Sequence, residues 1–248
     1  MHKCKILSTD WQLTAEGETI LQNFYDPQTA GRKLFGKFKA KHSGVLEKPS
    51  LPSNFEEVSY KIFVAGKAGI GKTTTTARLA GTVCPSSAYV ETMGIRQTIV
   101  YWPAKIRDRI VLFKLHLWDA GENSIKKYSH ILPACTDKAD AVLFVFSFMD
   151  QSSLADLPKY MAQLMKLTEN PASIAIGTRY DADSEMEIDA SEVLEFEQRW
   201  RTPVLRINNA RPCEMSEVHE VAPILNLICE RLWMRAHPPH HTKSSPTR

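Results

Sequence analysis

Apolar residues form short continuous runs along the chain, and stretches with helical character separate them. The runs are typical of strands buried on both faces of a sheet, and they lie at 61–65, 141–146, 173–177 and 204–207. Helices are predicted at 72–80, 153–167, 191–200 and 218–232. Strands that alternate with helices predict an α/β fold, with a mostly parallel sheet covered by helices on both faces.

Two further strands are predicted between the first helix and the second buried run. They lie at 99–102 and 109–118, and their short connection favours an antiparallel hairpin. The flanking residues 82–97 and 119–129 are expected to be loops, and a short helix should end near Cys135. Ser153 and Asp156 have capping-box spacing, which places the start of the following helix at Ser153.

The first 57 residues precede the first buried strand. A short amphipathic helix there, opened by Thr14 or Glu16, is indicated by the spacing of Leu13, Gly17, Ile20, Leu21 and Phe24. It either packs against the outside of the main domain or docks a partner. A basic, aromatic run at 32–41 is either a solvated linker or a contact for an anionic membrane surface. We therefore expect an extension at 1–57, a domain at 58–235 and a disordered tail at 236–248.

Composition narrows the class of protein. The chain has 248 residues, 43% of them hydrophobic, which is enough for a packed core, and its net charge of +3 argues against nucleic acid as the main partner. Its 5 cysteines lack paired spacing, which favours reduced thiols in a cytosolic protein over disulfides or zinc. No signal pattern, apolar run of about 18 residues or prenylatable C-terminal cysteine is present, so we expect no transmembrane segment or prenyl anchor.

A phosphate-binding loop follows the first buried strand. Gly66 and Gly71-Lys72-Thr73 have the spacing of a P-loop, so the backbone N–H groups of 66–74 are predicted to surround phosphate oxygens. Lys72 supplies a positive charge for the terminal phosphates, and the Thr73 hydroxyl can bind Mg²⁺. The cofactor-binding residues predicted here are Gly66, Lys67, Ala68, Gly69, Ile70, Gly71, Lys72, Thr73 and Thr74.

With these motifs the chain resembles the Ras-superfamily small GTPases over about residues 58–235. That resemblance implies a doubly wound, mostly parallel six-stranded sheet and a site for GTP or GDP with Mg²⁺. Thr92-Met93-Gly94-Ile95 resembles the first switch, and Trp118-Asp119-x-Gly121-Glu122 resembles a second switch shortened by one residue. The resemblance implies that Thr73, Thr92 and Asp119 bind Mg²⁺. It also implies that Thr92 and Gly121 contact the terminal phosphate.

Two departures from the family pattern predict slow GTP hydrolysis. Ala68 stands where most members have glycine, and its methyl group crowds the space for attacking water or a partner's arginine. Glu122 takes the position of the catalytic glutamine, and an ionised carboxylate cannot donate a hydrogen bond to that water. Glu122 is therefore a weak catalytic candidate, and the chain is a weak GTPase at most.

Residues 178–181 replace the motif that reads guanine in the family. Asp181 is retained, and its carboxylate is expected to accept two N–H bonds that adenine cannot offer. Arg179 is expected to lie on the base. Thr178 is expected to lack the tie, a hydrogen bond to the P-loop, that the family's asparagine makes from this position. The segment 208–210 matches the remaining base-binding loop weakly.

A narrower resemblance is to the Rab-like small GTPases of ciliogenesis and planar polarity effector complexes. It is carried by the shortened second switch and by the runs at 59–64, 101–105, 126–127, 146–148 and 156–158. This resemblance implies GTP-dependent binding to scaffold proteins like Fuzzy and Inturned, a basal-body location, and roles in cilium assembly and targeted exocytosis. The protein would be a monomer outside that complex.

Three alternatives remain open on the sequence. A non-hydrolysing pseudo-GTPase would hold the nucleotide only as a structural part. A P-loop ATPase or kinase would bind adenine, which Asp181 disfavours. A pure interaction module would bind its partners without any nucleotide, so that removing the Lys72 ammonium would leave partner binding unchanged.

Overall fold

The computed structural model of the chain describes residues 6–25, 55–81, 90–180, 185–209 and 218–238. One sheet of six strands runs in the order β2-β3-β1-β4-β5-β6. The strands are β1 Glu56–Ala65, β2 Ile95–Ile106, β3 Arg109–Ala120, β4 Ala141–Ser147, β5 Ala172–Thr178 and β6 Val204–Arg206. The helices are α1 Ala15–Tyr25, α2 Lys72–Leu79, α3 Glu122–Lys127, α4 Ile131–Thr136, α5 Gln151–Ala155, α6 Leu157–Met165, α7 Ala190–Trp200 and α8 Val218–Ala236, and a 3-10 helix, Thr9–Leu13, precedes α1.

The predicted α/β fold is confirmed. Neighbouring strands are parallel throughout the sheet, except for the antiparallel hairpin of β2 and β3. Every residue of β4 is buried, as its continuous apolar run requires. Alternate residues of β1 and β4 enter two hydrophobic clusters; Ile62 and Leu143 belong to one, and Phe63 and Phe144 belong to the other. Because β1, β3 and β5 run in the same direction, the loops that follow them lie at one edge of the sheet.

The hairpin strands are longer than the sequence pattern predicts. β2 begins at Ile95 rather than Ile99, so part of the predicted loop at 82–97 is strand. Its first residues include Arg96 and Gln97, which are exposed because β2 is an edge strand. Polar residues on an edge strand leave no apolar run to recognise. β3 likewise continues past Trp118 to Ala120, which pairs with Ile95.

Two helix predictions were wrong in detail. The expected loop at 119–129 contains α3, whose residues are mostly polar and half of them exposed. Ser153 does not begin a helix; the Asp150 side chain caps α5 by accepting a bond from the Ser153 N–H. The Ser153 hydroxyl instead accepts a bond from the Ser147 N–H, because β4 and α5 are joined by a tight turn that buries it.

The N-terminal helix packs on the main domain. Trp11 and Ile20 join the same hydrophobic cluster as Trp102 and Leu225. Leu13, predicted on the apolar face, is 62% exposed because it ends the 3-10 helix before α1 begins. The predicted contribution of Phe24 lies outside the described side chains, as does the whole basic run at 32–41.

A buried polar network also joins the N-terminal segment to α8. The Asn226 side chain exchanges hydrogen bonds of 3.0 and 3.1 Å with Gln12 and accepts one of 2.8 Å from the Trp102 indole. At the C-terminal end, α8 continues to Ala236. None of the helices in the described ranges has the length and apolar character needed to cross a bilayer.

Candidate functional site

The P-loop connects β1 to α2 and closes around the Lys72 side chain. The buried Lys72 ammonium donates to the carbonyls of Gly66 at 2.9 Å and Lys67 at 2.7 Å. Burial lowers the pKa of Lys72, and the carboxylates of Asp119, Glu122 and Glu91 oppose that shift. The loop thus holds a cation at the position where terminal phosphates of a nucleotide would bind.

Two loop positions require glycine on steric grounds. Gly66 has φ 151°, and a Cβ there would lie 2.3 Å from the Val145 carbonyl oxygen. Gly71 has φ 96° and directly precedes α2. Residues other than glycine rarely adopt these backbone conformations. The shape of the loop therefore explains why glycines occur at these two positions.

Most of the predicted site residues meet at one cleft of about 1070 Å³. The predicted residues that line it are Ala68, Gly69, Ile70, Gly71, Lys72, Thr73, Thr74, Thr92, Gly121, Glu122, Thr178 and Arg179. The Lys67 side chain is directed elsewhere, because its ammonium contacts Ser152 at 3.0 Å and Asp156 at 2.5 Å. Asp181 lies outside the described residues.

The three predicted metal ligands converge beside Lys72. The Thr73 and Thr92 hydroxyl oxygens are 2.8 Å apart, and Thr92 donates to Asp119 Oδ2 at 3.2 Å. Thr73 also donates to the same carboxylate oxygen. Asp119 is fully buried, and its other oxygen, Oδ1, has no hydrogen-bond partner among the described residues. Two hydroxyls and a buried carboxylate with spare acceptor capacity match the oxygen ligands that Mg²⁺ prefers.

The Glu122 carboxylate contacts the P-loop itself. One oxygen accepts a bond of 2.7 Å from the Ala68 N–H, and the other accepts one of 2.5 Å from Lys126. The bond from Lys126 lowers the pKa of Glu122, and burial acts in the opposite direction. Glu122 is therefore an anion at neutral pH, and it can only accept hydrogen bonds.

The expected loss of the Thr178 tie was wrong. The buried Thr178 hydroxyl donates to the Ile70 carbonyl at 2.6 Å, so β5 and the P-loop stay connected. A hydroxyl suffices here because the partner is a backbone carbonyl, which needs only one donor. Arg179, with φ 54°, adds a second tie by donating to the Gly69 carbonyl at 2.7 Å.

Several residues around the cleft were not predicted as site residues. Asn209 lines the cleft, donates to Thr75 Oγ1 at 2.9 Å, and carries a buried Oδ1 with no hydrogen-bond partner in the described part of the chain. The weak match at 208–210 was the only sequence signal for it. The two switch segments are also connected by the side chains of Glu91, Asn123 and Ser124. None of these three residues was part of a motif recognised in the sequence.

Known proteins resemble this chain over much of its length. The family model described as the Ras family matches residues 61–222. A protein named "Ciliogenesis and planar polarity effector 2" from Xenopus tropicalis is 38% identical over 243 residues, covering 93% of this chain and 91% of the relative. The Homo sapiens protein of that name is 34% identical over 241 residues, covering 92% and 89%. Human "Ras-related protein Rab-26" is 23% identical over 170 residues, covering 64% and 61%.

Proposed function

This chain belongs to the Ras family, and from that membership we propose that it is a guanine-nucleotide switch that binds GTP or GDP with Mg²⁺. Its two switch segments would report the terminal phosphate to a protein partner. We further propose that residues 58–235 form the switch domain and that residues 1–57 form an extension. The helix described in this extension packs on the switch domain.

The observation that carries the proposal is the meeting of Thr73, Thr92 and Asp119 next to the Lys72 ammonium. These residues come from the P-loop helix, the first switch and the end of β3, which are distant in sequence. When bound, Mg²⁺ would neutralise phosphate charge at this point. Thr73 and Asp119 would hold the ion, and Thr92 would connect it to the first switch.

Guanine recognition is proposed for the end of β5. Thr178 and Arg179 fix this strand end to the P-loop at Ile70 and Gly69. Asp181 follows two residues later, and we propose that its carboxylate reads the N–H groups of the base. Adenine lacks those N–H groups and would leave the carboxylate unpaired, which costs binding free energy.

Slow hydrolysis is proposed on the basis of Glu122 and Ala68. The carboxylate is held against the Ala68 N–H, beside the position of the terminal phosphate. An anion there repels the phosphate and cannot donate a bond to attacking water. The same contact favours a second candidate function, a pseudo-GTPase subunit that holds the nucleotide without hydrolysing it.

A role in a ciliogenesis and planar polarity effector complex is proposed from the names of the relatives. We propose that the partners are scaffold proteins resembling Fuzzy and Inturned, that binding requires GTP, and that the complex acts at the basal body in cilium assembly and targeted exocytosis. Met93 in the first switch and Val90 just before it are apolar and exposed, at 89% and 79%, which suits a protein contact.

Identification of the nucleotide in purified protein tests the proposal. The full chain is denatured, and the released small molecules are separated by chromatography against guanine and adenine standards. We expect GDP or GTP in an amount close to one per chain. ATP or ADP in its place would contradict the assignment of Asp181. Single-turnover hydrolysis, with and without activating proteins, then separates a slow GTPase from the pseudo-GTPase.

A further inference from the structure

The shortened second switch places its glycine beside the first switch. β3 continues to Ala120, which pairs with Ile95 at the start of β2. The next residue therefore lies at the end of the hairpin, where the Gly121 N–H donates to the Gly94 carbonyl at 3.4 Å. The resemblance to the Ras family assigns that N–H to the terminal phosphate, whereas in this chain it contacts the other switch.

Close packing between the two backbones supports this arrangement. A Cβ on Gly121 would lie 2.1 Å from the Thr92 carbonyl oxygen and 3.1 Å from Glu91 Oε1. The first separation leaves no room for a side chain, because the Thr92 oxygen belongs to the backbone and cannot move aside like the end of a flexible side chain. The glycine is thus required for direct contact between the two switch segments.

Glu91 and Asn123 join the segments by two charge-assisted hydrogen bonds. Glu91 Oε1 accepts from the Asn123 N–H at 2.7 Å, and Oε2 accepts from Asn123 Nδ2 at 2.6 Å. A third contact lies close by, where the Gly94 N–H donates to the buried Ser124 hydroxyl at 2.9 Å. Bonds with an ionised acceptor are stronger than neutral ones, so the Glu91–Asn123 pair is the strongest of these links.

We propose that this Glu91–Asn123 clasp couples residues 91–95 and 121–127, so that the two switch segments open and close together as one unit. The inference rests on the proposed function for its biological meaning. Its bonds use neither a phosphate oxygen nor a predicted metal ligand, so they are available with either nucleotide bound. A nucleotide that favours the closed arrangement of one segment would then close both.

Hydrogen exchange of the full-length protein, read by mass spectrometry over 91–95 and 121–127, tests the clasp. Asn123→Ala should accelerate exchange in 91–95, and Glu91→Gln should accelerate exchange in 121–127, each by about fivefold or more. In the double variant the two effects should not add fully, because each change removes the same bond, between Glu91 Oε2 and Asn123 Nδ2. Glu195→Gln, an exposed change on α7, serves as the matched control and should leave both segments unchanged.

The outcomes separate the clasp from the proposed function. The clasp is overturned if each single variant loosens only its own segment, or if the effects add fully in the double variant. Nucleotide affinity is measured on the same preparations with fluorescent GDP. If the variants show no reciprocal effect on exchange but still bind GDP, the clasp is rejected and the proposed function stands. Absence of nucleotide binding rejects the proposed function, while the exchange of nucleotide-free protein still decides the clasp.

Discussion

The Glu122 carboxylate accepts a hydrogen bond of 2.7 Å from the backbone N–H of Ala68. The sequence predicts slow GTP hydrolysis from these two departures from the family pattern, one in the second switch and one in the P-loop. The structure therefore joins two separate sequence departures in one contact. Since a second bond from Lys126 holds the carboxylate in place, the contact puts a fixed negative charge next to the position that we propose for the terminal phosphate.

Replacement of Glu122 by glutamine should favour the triphosphate. Glu122→Gln keeps the side-chain size and an acceptor for Ala68, but it removes the negative charge and adds an N–H donor. We expect affinity for a non-hydrolysable GTP analogue, relative to GDP, to rise about tenfold, or roughly 1.4 kcal/mol. Titration calorimetry measures the ratio. An unchanged ratio, with Glu195→Gln as the control, would show that the charge does not act on the phosphate.

Removal of the buried carboxylate beside Thr73 should abolish the magnesium dependence of nucleotide binding. Asp119→Asn removes the negative charge that balances the metal ion, while the amide can still accept from Thr73 and Thr92. In the parent protein we expect a chelator to accelerate release of fluorescent GDP by about tenfold or more. In Asp119→Asn the rates with and without Mg²⁺ should agree within about twofold. A full chelator effect in the variant would exclude Asp119 from the metal site.

The Thr178 hydroxyl should stabilise both the fold and the nucleotide site. Thr178→Val has nearly the same shape but leaves the buried carbonyls of Ile70 and Phe146 without this donor. Loss of the donor should cost about 1–3 kcal/mol in the free energy of unfolding and should speed nucleotide release. Urea unfolding and fluorescent GDP release are the two measurements. Thr178→Ser retains the donor and should behave like the parent in nucleotide release; equal release from Val and Ser variants would refute the role of the hydroxyl.

Two neighbouring apolar residues of the N-terminal segment should differ sharply in their effect on stability. Trp11 is 4% exposed and belongs to the main hydrophobic cluster, whereas Leu13 is 62% exposed. Trp11→Ala should lower the free energy of unfolding by about 3 kcal/mol or more, and Leu13→Ala by less than about 0.5 kcal/mol. Urea denaturation measures both. Similar small losses would mean that the segment does not contribute to the core.

The sequence predicted the parts of the molecule that obey periodic or motif rules. The β4 run is short and rich in valine and phenylalanine, which favours a buried strand over a buried helix, and the glycines of the P-loop have backbone conformations that other residues avoid. The set of Thr73, Thr92 and Asp119 was predicted from the resemblance to the Ras-superfamily small GTPases. For β4 and the P-loop glycines, a local pattern sufficed to predict the position.

The missed features depend on partners that are distant in sequence. The polar start of β2 becomes a strand only because β3 continues alongside it to Ala120. Thr178 was expected to lose its tie because the family's asparagine was absent, but a carbonyl lay within reach of its hydroxyl. Glu91 and Asn123 belong to no motif, and their pairing follows from the shortened loop that precedes Asn123.

Calorimetric titration of nucleotide-free full-length protein with GDP, GTP and ATP in the presence of Mg²⁺ tests the central claim most directly. The account predicts one site for GDP and GTP, a clear preference over ATP, and loss of binding in Lys72→Ala, because the ammonium within the P-loop is required for phosphate binding. A folded protein that gives no heat with either guanine nucleotide, or binding that is unchanged in Lys72→Ala, would contradict it.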